Sequence, residues 1–383
     1  MALAFEAEEY AERLTRLKAA MAEKKLDAVL LFAQESMYWL TGYDTFGFVF
    51  FQCLVVTADG RTALLTRSAD VRQARQTSNI SEIRIWVDRG QTDPSRDLKD
   101  MLSDMDLLGC RIGVEYDTHG ITGRSTHFLD SQLSSFGQLE DASYLVSNLR
   151  LIKSPAEIAC IEKAATLCDD AFEAALPLIR PGADEAEILA TMQGAVLSGG
   201  GDYPANNFIV GSGESALLCR SKSGRRKLDA NDQLTLEWAG VWSHYHVAAM
   251  RTVLVGEPGD RHQSLFRAAT ATLSAIEEIL RPGHTFGEVF DKHAEIMDAR
   301  GLSRHRLNAC GYSLGARFAP SWMEHQMFHT GNPHPILPSM SLFVHIIIMD
   351  SDSGTAMTLG RTYLTGEDDP RPLSRLGLEL YTK

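Results

Sequence analysis

The sequence predicts an α+β chain of two domains, an α/β domain over residues 1–150 and a pseudo-symmetric α+β domain over residues 151–383. Three observations carry that expectation. Short apolar, β-branched runs alternate with helical patterns through the first part of the chain. A long hairpin pattern, Leu234 to Gly256, stands in the second part. A segment that ends one helix and opens another, Leu178 to Ile188, recurs as Ile279 to Val289 with Arg-Pro-Gly at its centre both times.

In chain order, Tyr10 to Lys25 carries Leu14, Leu17 and Met21 at helical spacing, and Met1 to Lys25 as a whole reads as an amphipathic helix. Leu26 to Phe32 follows as a buried strand. Further strands are expected at Gln52 to Thr57, Thr62 to Thr66, Ile83 to Val87 and Arg111 to Val114, with a helix over Asp97 to Leu108. Asn148 to Pro155 then leads into a second domain. Ser154 is an N-cap, Pro155 suits the first helical position and Glu157 the first turn, so a long helix should run from there to about Ile179. Each copy of the repeated segment follows one helical pattern, stops at Pro-Gly and opens another, which implies two similar halves sharing a sheet.

Composition narrows the function. The chain has 383 residues, 44% hydrophobic and 23% charged, with a net charge of −13, which disfavours nucleic acid and anionic membranes as partners. The apolar run around Phe46 to Val56 is roughly half of what spans a bilayer, and no charged n-region precedes an apolar h-region at the start. A cytoplasmic location is expected. Six scattered cysteines without a CxxC argue against a zinc or disulfide framework.

The hairpin holds the chemistry. Gly240 to Ser243 make the break between two apolar arms, with Glu237 in the first arm and His244, Tyr245, His246 and Arg251 along the second. A carboxylate in an apolar arm costs several kcal/mol unless it is paired, hydrated or functional. Glu237 is therefore either an ion-pair partner of Arg251 or a working group, and His246 either a proton shuttle or a structural histidine. Gly199 to Asn207 is not a phosphate loop, because it lacks the Lys-Ser/Thr ending and follows no strand.

This hairpin, Gly311 to Gly315 and the final Met357 to Thr365 together resemble the pita-bread superfamily of creatinase, aminopeptidase P and prolidase; the Asn148 to Glu157 entry and, weakly, Tyr38 to Tyr43 are similar to it too. The resemblance implies a creatinase-type N-terminal domain, a pita-bread catalytic domain and a homodimer in which one subunit's N-terminal domain helps to close its partner's pocket. The apolar Phe46 to Phe51 run adds to the expectation of a dimer. Metal-using members carry two Asp, a His and two Glu. The corresponding positions here are Glu237, Ala248, Tyr312, His345 and Leu359, so the chain resembles the metal-independent branch and no metal or other cofactor is expected.

Within that branch the resemblance is greatest to the ectoine hydrolases. It rests on Gly199 to Pro204, on Glu237 before Ala239-Gly240, on Tyr245-His246 before Arg251-Thr252, and on Gly311-Tyr312 before Pro320, Trp322 and Glu324. It implies hydrolysis of a non-peptide C–N bond in a small nitrogenous solute, with Glu237, His246 and Tyr312 catalytic. Arg220, Arg251, Tyr203, Trp322, Glu324 and His345 would bind the substrate. Two departures count against direct transfer: Arg220 stands where the branch has a His, and Leu359 where it has a Glu. A creatinase-like amidinohydrolase, an Xaa-Pro peptidase homologue and an inactive anion-binding or scaffold protein stay open as alternatives.

Overall fold

Helix α1 (Ala7–Lys24) buries Tyr10, Leu17 and Met21. After it come β1 (Ala28–Leu31), α2 (Gln34–Thr41), β2 (Cys53–Thr57), β3 (Thr62–Arg67), α3 (Val71–Thr77), β4 (Glu82–Trp86), α4 (Pro94–Asp104), β5 (Arg111–Val114), α5 (Gly123–Leu133), β6 (Gln138–Asp141) and α6 (Leu145–Leu149). The strands form one mixed sheet in the order β4-β3-β2-β1-β5-β6. Alternate residues of β1 enter two cores. Ala28 and Leu30 pack with Leu98, Met101 and Leu129 of α4 and α5, while Val29 and Leu31 pack with Leu17, Met21 and Val146 of α1 and α6. A central strand covered on both faces reads as one unbroken apolar run, and that is the signature of an α/β layer.

The computed structural model describes residues 3–88, 90, 93–224 and 226–383, so Met1 and Ala2 of the expected first helix lie outside the described residues. Contacts divide the chain into two units, Met1–Arg150 and Leu151–Lys383. All six cysteines are free thiols. Among the described residues no helix is long and apolar enough to cross a membrane. The Phe46 to Phe51 run forms a 3-10 turn at Gly47–Val49, with Phe46 83% and Val49 61% exposed.

The second unit opens with α7 (Pro155–Ala175), held by a full capping box in which Ser154 accepts from the Glu157 amide and Glu157 from the Ser154 amide. Next come α8 (Glu185–Ser198), β7 (Ile209–Ser212), β8 (Asp232–Trp242) and β9 (Tyr245–Val255). The same succession recurs as α9 (Asp260–Glu277), α10 (Phe286–Ala299), β10 (Gly311–Ser313), β11 (Ser341–Asp350) and β12 (Thr355–Leu364). The repeated Arg-Pro-Gly does the same work twice. Gly182 (φ 78°) and Gly283 (φ 97°) turn the chain through the left-handed region, and Asp184 and Thr285 then cap α8 and α10. The strand order β10-β11-β12-β9-β8-β7 reads the same from either edge, so the halves meet at β9 and β12 around a pseudo-twofold. The α+β class and its pseudo-symmetry are as the sequence predicts.

Register fixes which side chains share a face. Glu237 pairs with Met250 and Val241 with His246, whereas Leu236 pairs with Arg251. On the other half His345 pairs with Gly360, Tyr312 with Phe343 and Ile346 with Leu359. Alternation therefore puts Glu237, His246, Tyr312 and His345 on one face. The opposite face is roofed by helices, with Trp238 stacked on Phe172 of α7 and Leu342, Val344, Ile346 and Leu359 packed with residues of α9 and α10. The expected break at Gly240 is corrected. Gly240 is mid-strand, where a Cβ would stand 1.9 Å from the Ala164 carbonyl oxygen of α7, and the turn is Ser243-His244, with φ 48° and 64°.

Candidate active site on the helix-free face

In a flat sheet β8 and β10 would lie about 19 Å apart. Here the Tyr312 hydroxyl and the Glu237 carboxylate come close enough to perturb one another, so the sheet curls until its two halves face one another across this surface. The segment after β10 completes the curl: the His246 amide donates to the Gly315 carbonyl (3.2 Å) and the Arg317 amide to the His244 carbonyl (3.0 Å).

Glu237 lies deep enough to lose most of its hydration yet keeps intermediate exposure, as a group on the floor of an open recess does. Burial pushes its carboxyl from 4.5 up to about 7, against the Arg220 charge and the Tyr312 hydroxyl, which both favour the ionised form. The carboxyl is thus poised to gain or lose a proton near neutrality. Trp322, fully buried, donates its Nε1–H to the Tyr312 oxygen (2.9 Å). With its oxygen accepting from the indole, the tyrosine keeps its single O–H to donate, and the Glu237 carboxylate stands within its influence. Arg220 is an exposed residue whose charge reaches the same carboxylate.

The two inner-face histidines are neutral. His246 is buried, and its Nε2 accepts from the Ala205 amide (3.0 Å), which assigns the ring proton to Nδ1. Burial, with the charges of His244 and Arg317, drops its pKa to about 3. A histidine in that state does not shuttle protons near neutrality. It pins the Gly199 to Asn207 loop to the hairpin, a task shared by Asp202, which accepts from the His244 amide (3.0 Å). His345 is likewise lowered to about 3 by burial, and its ring lies 5.8 Å from that of Tyr312.

Three expected substrate contacts are placed elsewhere. Arg251, opposite Leu236, projects to the helix-covered face and donates to the carbonyls of Met250, Gly360 and Gly377, so it neither clamps a substrate nor pairs with Glu237. Tyr203 is 81% exposed. Glu324 is buried against Lys153 (3.4 Å), both side chains about 1% exposed, and its backbone amide holds the Trp322 loop to Ser313. Sequence reasoning missed Lys153, visible only as one residue of the domain-entry segment. It also missed Cys219, a thiol near enough to Glu237 for the carboxylate to raise its pKa, though burial is the larger cause.

Residues 13–152 match the creatinase/prolidase N-terminal domain and residues 159–367, more than half of the chain, match metallopeptidase family M24. The chain belongs to family M24. It is similar to the ectoine hydrolase of Halomonas elongata, 26% identical over all of this chain and 99% of that one. It also resembles the Xaa-Pro dipeptidase of Pyrococcus furiosus, 23% identical over 79% of this chain and 82% of that one. Among solved structures, a prolidase from Thermococcus sibiricus shares the fold with a TM-score of 0.87 at 18% identity, over 98% of this chain and 99% of that one.

This M24 chain does not offer the donors that a two-metal centre needs. Of the five positions that correspond to ligands, only Glu237 and His345 carry ligating side chains. Leu359 faces the helices, and its inner-face neighbour is Gly360, where a Cβ would stand 2.7 Å from the Phe343 ring. A pair of divalent ions requires bridging carboxylates, and among the described residues no second carboxylate perturbs Glu237. Among the described residues the one cluster of three ligating groups is His305, Asp350 and Asp352 at the β11–β12 turn, where Asp350 is already bonded to Arg261 (2.7 Å) and Ser353 (2.8 Å).

Proposed function

We propose that this chain is a metal-independent hydrolase of a non-peptide C–N bond in a small nitrogenous solute, with ectoine-like cyclic amidines as the first substrate class. The observation that carries the reading is Glu237, a carboxylate on the helix-free face with its pKa raised to about 7 and the Tyr312 phenol beside it. A cationic amidinium beside Glu237 favours its ionised form. The carboxylate then takes a proton from water as the oxygen adds to the amidinium carbon, and returns it to the departing nitrogen as the C–N bond breaks. The hydroxyl proton follows, so the nitrogen leaves as an ammonium and the carbon becomes an amide. Tyr312 holds the carboxylate in line, and Arg220 is suited to a substrate carboxylate through its guanidinium fork. His246 contributes by fixing the loop over the hairpin.

An inactive anion-binding protein is the second reading, favoured by Arg220 at the position where the metal-independent relatives carry a His. Turnover of ectoine, hydroxyectoine, creatine and Ala-Pro, each with and without added Mn²⁺, separates them. Metal-indifferent opening of a cyclic amidine supports the hydrolase. Cleavage of Ala-Pro only with Mn²⁺ would return the chain to the peptidases, and binding without turnover of any substrate favours the second reading.

A further inference from the structure

Helix α9 and the segment that follows α10 border a half-open recess of about 390 Å³ on the helix-covered side of the second sheet, the side away from Glu237. Leu265 and Leu302, both buried, make its floor, and Arg261, Ser264, Arg267 and Arg300 rise around it. No acidic residue lines it. Three guanidinium groups around one recess repel each other, and in a chain of net charge −13 such a cluster runs against the average field.

Arginines of this unit divide into those with a carboxylate partner and those without. Arg226, Arg306, Arg371 and Arg375 each pair with a carboxylate. Arg261 is fixed by Asp350 through Nε (2.7 Å) and Nη2 (2.5 Å), which sets its orientation at the rim. Arg267 has no hydrogen-bond or ion-pair partner among the described residues. Arg300 donates only to the Ile296 carbonyl (3.2 Å) in the last turn of its own helix. Two guanidinium forks are thus left without a carboxylate beside a hydroxyl and a shallow apolar floor. Guanidinium groups bind planar and tetrahedral oxyanions through paired N–H donors, and several acting together select multiply charged ones.

We propose that this recess binds a small multivalent oxyanion, of phosphate or polycarboxylate chemistry, at a site separate from Glu237. Isothermal titration of the full chain at low ionic strength with pyrophosphate, inorganic phosphate and citrate tests it, and the three probes distinguish phosphate from carboxylate recognition. One-to-one saturable binding of at least one probe is expected, weakened roughly tenfold or more in R267A/R300A, as the loss of charged hydrogen bonds implies. Both residues are exposed, so an unchanged melting temperature should accompany the loss. If the double variant proves unstable, Arg267→Gln alone should weaken binding. Absence of saturable binding by all three probes, or binding indifferent to these substitutions, overturns the proposal.

Discussion

Glu237→Gln should stabilise the second unit in alkali and leave it unchanged in acid. Burial raises the carboxyl of Glu237 from 4.5 to about 7, so the folded chain holds this proton more tightly than the unfolded chain does. Below the unfolded value both states are protonated and glutamate costs nothing relative to glutamine. As pH rises from 4.5 toward 7 the unfolded state ionises first, and wild-type stability falls; above 7 the loss is complete. At about 1.4 kcal/mol for each tenfold, the full shift sets an upper bound of about 3 kcal/mol. Solvent that reaches the partly exposed carboxylate reduces this to about 1–2 kcal/mol. For a domain of this size that is about 2–4 °C for each kcal/mol. Melting of both proteins at about pH 5 and about pH 8.5 reads the difference directly. A gap that fails to widen with pH, or a variant less stable than wild type in alkali, would refute the account of Glu237 as a desolvated acid.

Tyr312→Phe removes the hydroxyl that favours ionised Glu237, so the acid limb of the pH–rate profile should move to higher pH, whereas a merely packing role for Tyr312 leaves the limb in place. Lys153→Met leaves the buried Glu324 without its ammonium partner and should cost about 3–5 kcal/mol in urea unfolding; Lys153→Met with Glu324→Leu should recover much of it, and equal loss in both variants would contradict the pairing. The exposed Phe46 and Val49 lead us to expect a homodimer, so sedimentation should give a dimeric mass for wild type and a lower one for Phe46→Asp; a monomeric wild type would contradict this.

Much of the fold was written in periodicity. The unbroken apolar run at β1 marks a strand with two covered faces, Ser154-Pro155 announces α7, and the repeated Arg-Pro-Gly announces the pseudo-twofold. Helix α5 and strand β6 went unseen, because Gly123–Leu133 and Gln138–Asp141 are mostly exposed and carry little apolar signal. In the site, Glu237 was visible as the lone acid of an apolar arm. Arg251 pairs with Leu236 and so faces away from Glu237, a parity that is the same for a break at Gly240 to Ser243 and for the two-residue turn at Ser243-His244; alternation alone therefore separates the two charges. The approach of Tyr312 to Glu237 depends on sheet curvature, which no local pattern records. For His246 the unperturbed titration leaves shuttle and structural histidine both open, and the Ala205 amide on its Nε2 is a contact that no local pattern records.

The most direct test is the turnover number of Glu237→Gln on whichever cyclic amidine or related solute the wild type hydrolyses, measured in chelator-treated enzyme with folding verified by melting. A carboxylate that carries the proton in a water-poor recess typically contributes a hundredfold or more in rate. A loss of at least about that size, with wild-type turnover indifferent to the chelator, is expected. Full activity in the variant, or abolition of wild-type turnover by the chelator with recovery on adding Mn²⁺, would contradict a metal-independent hydrolase that works through Glu237.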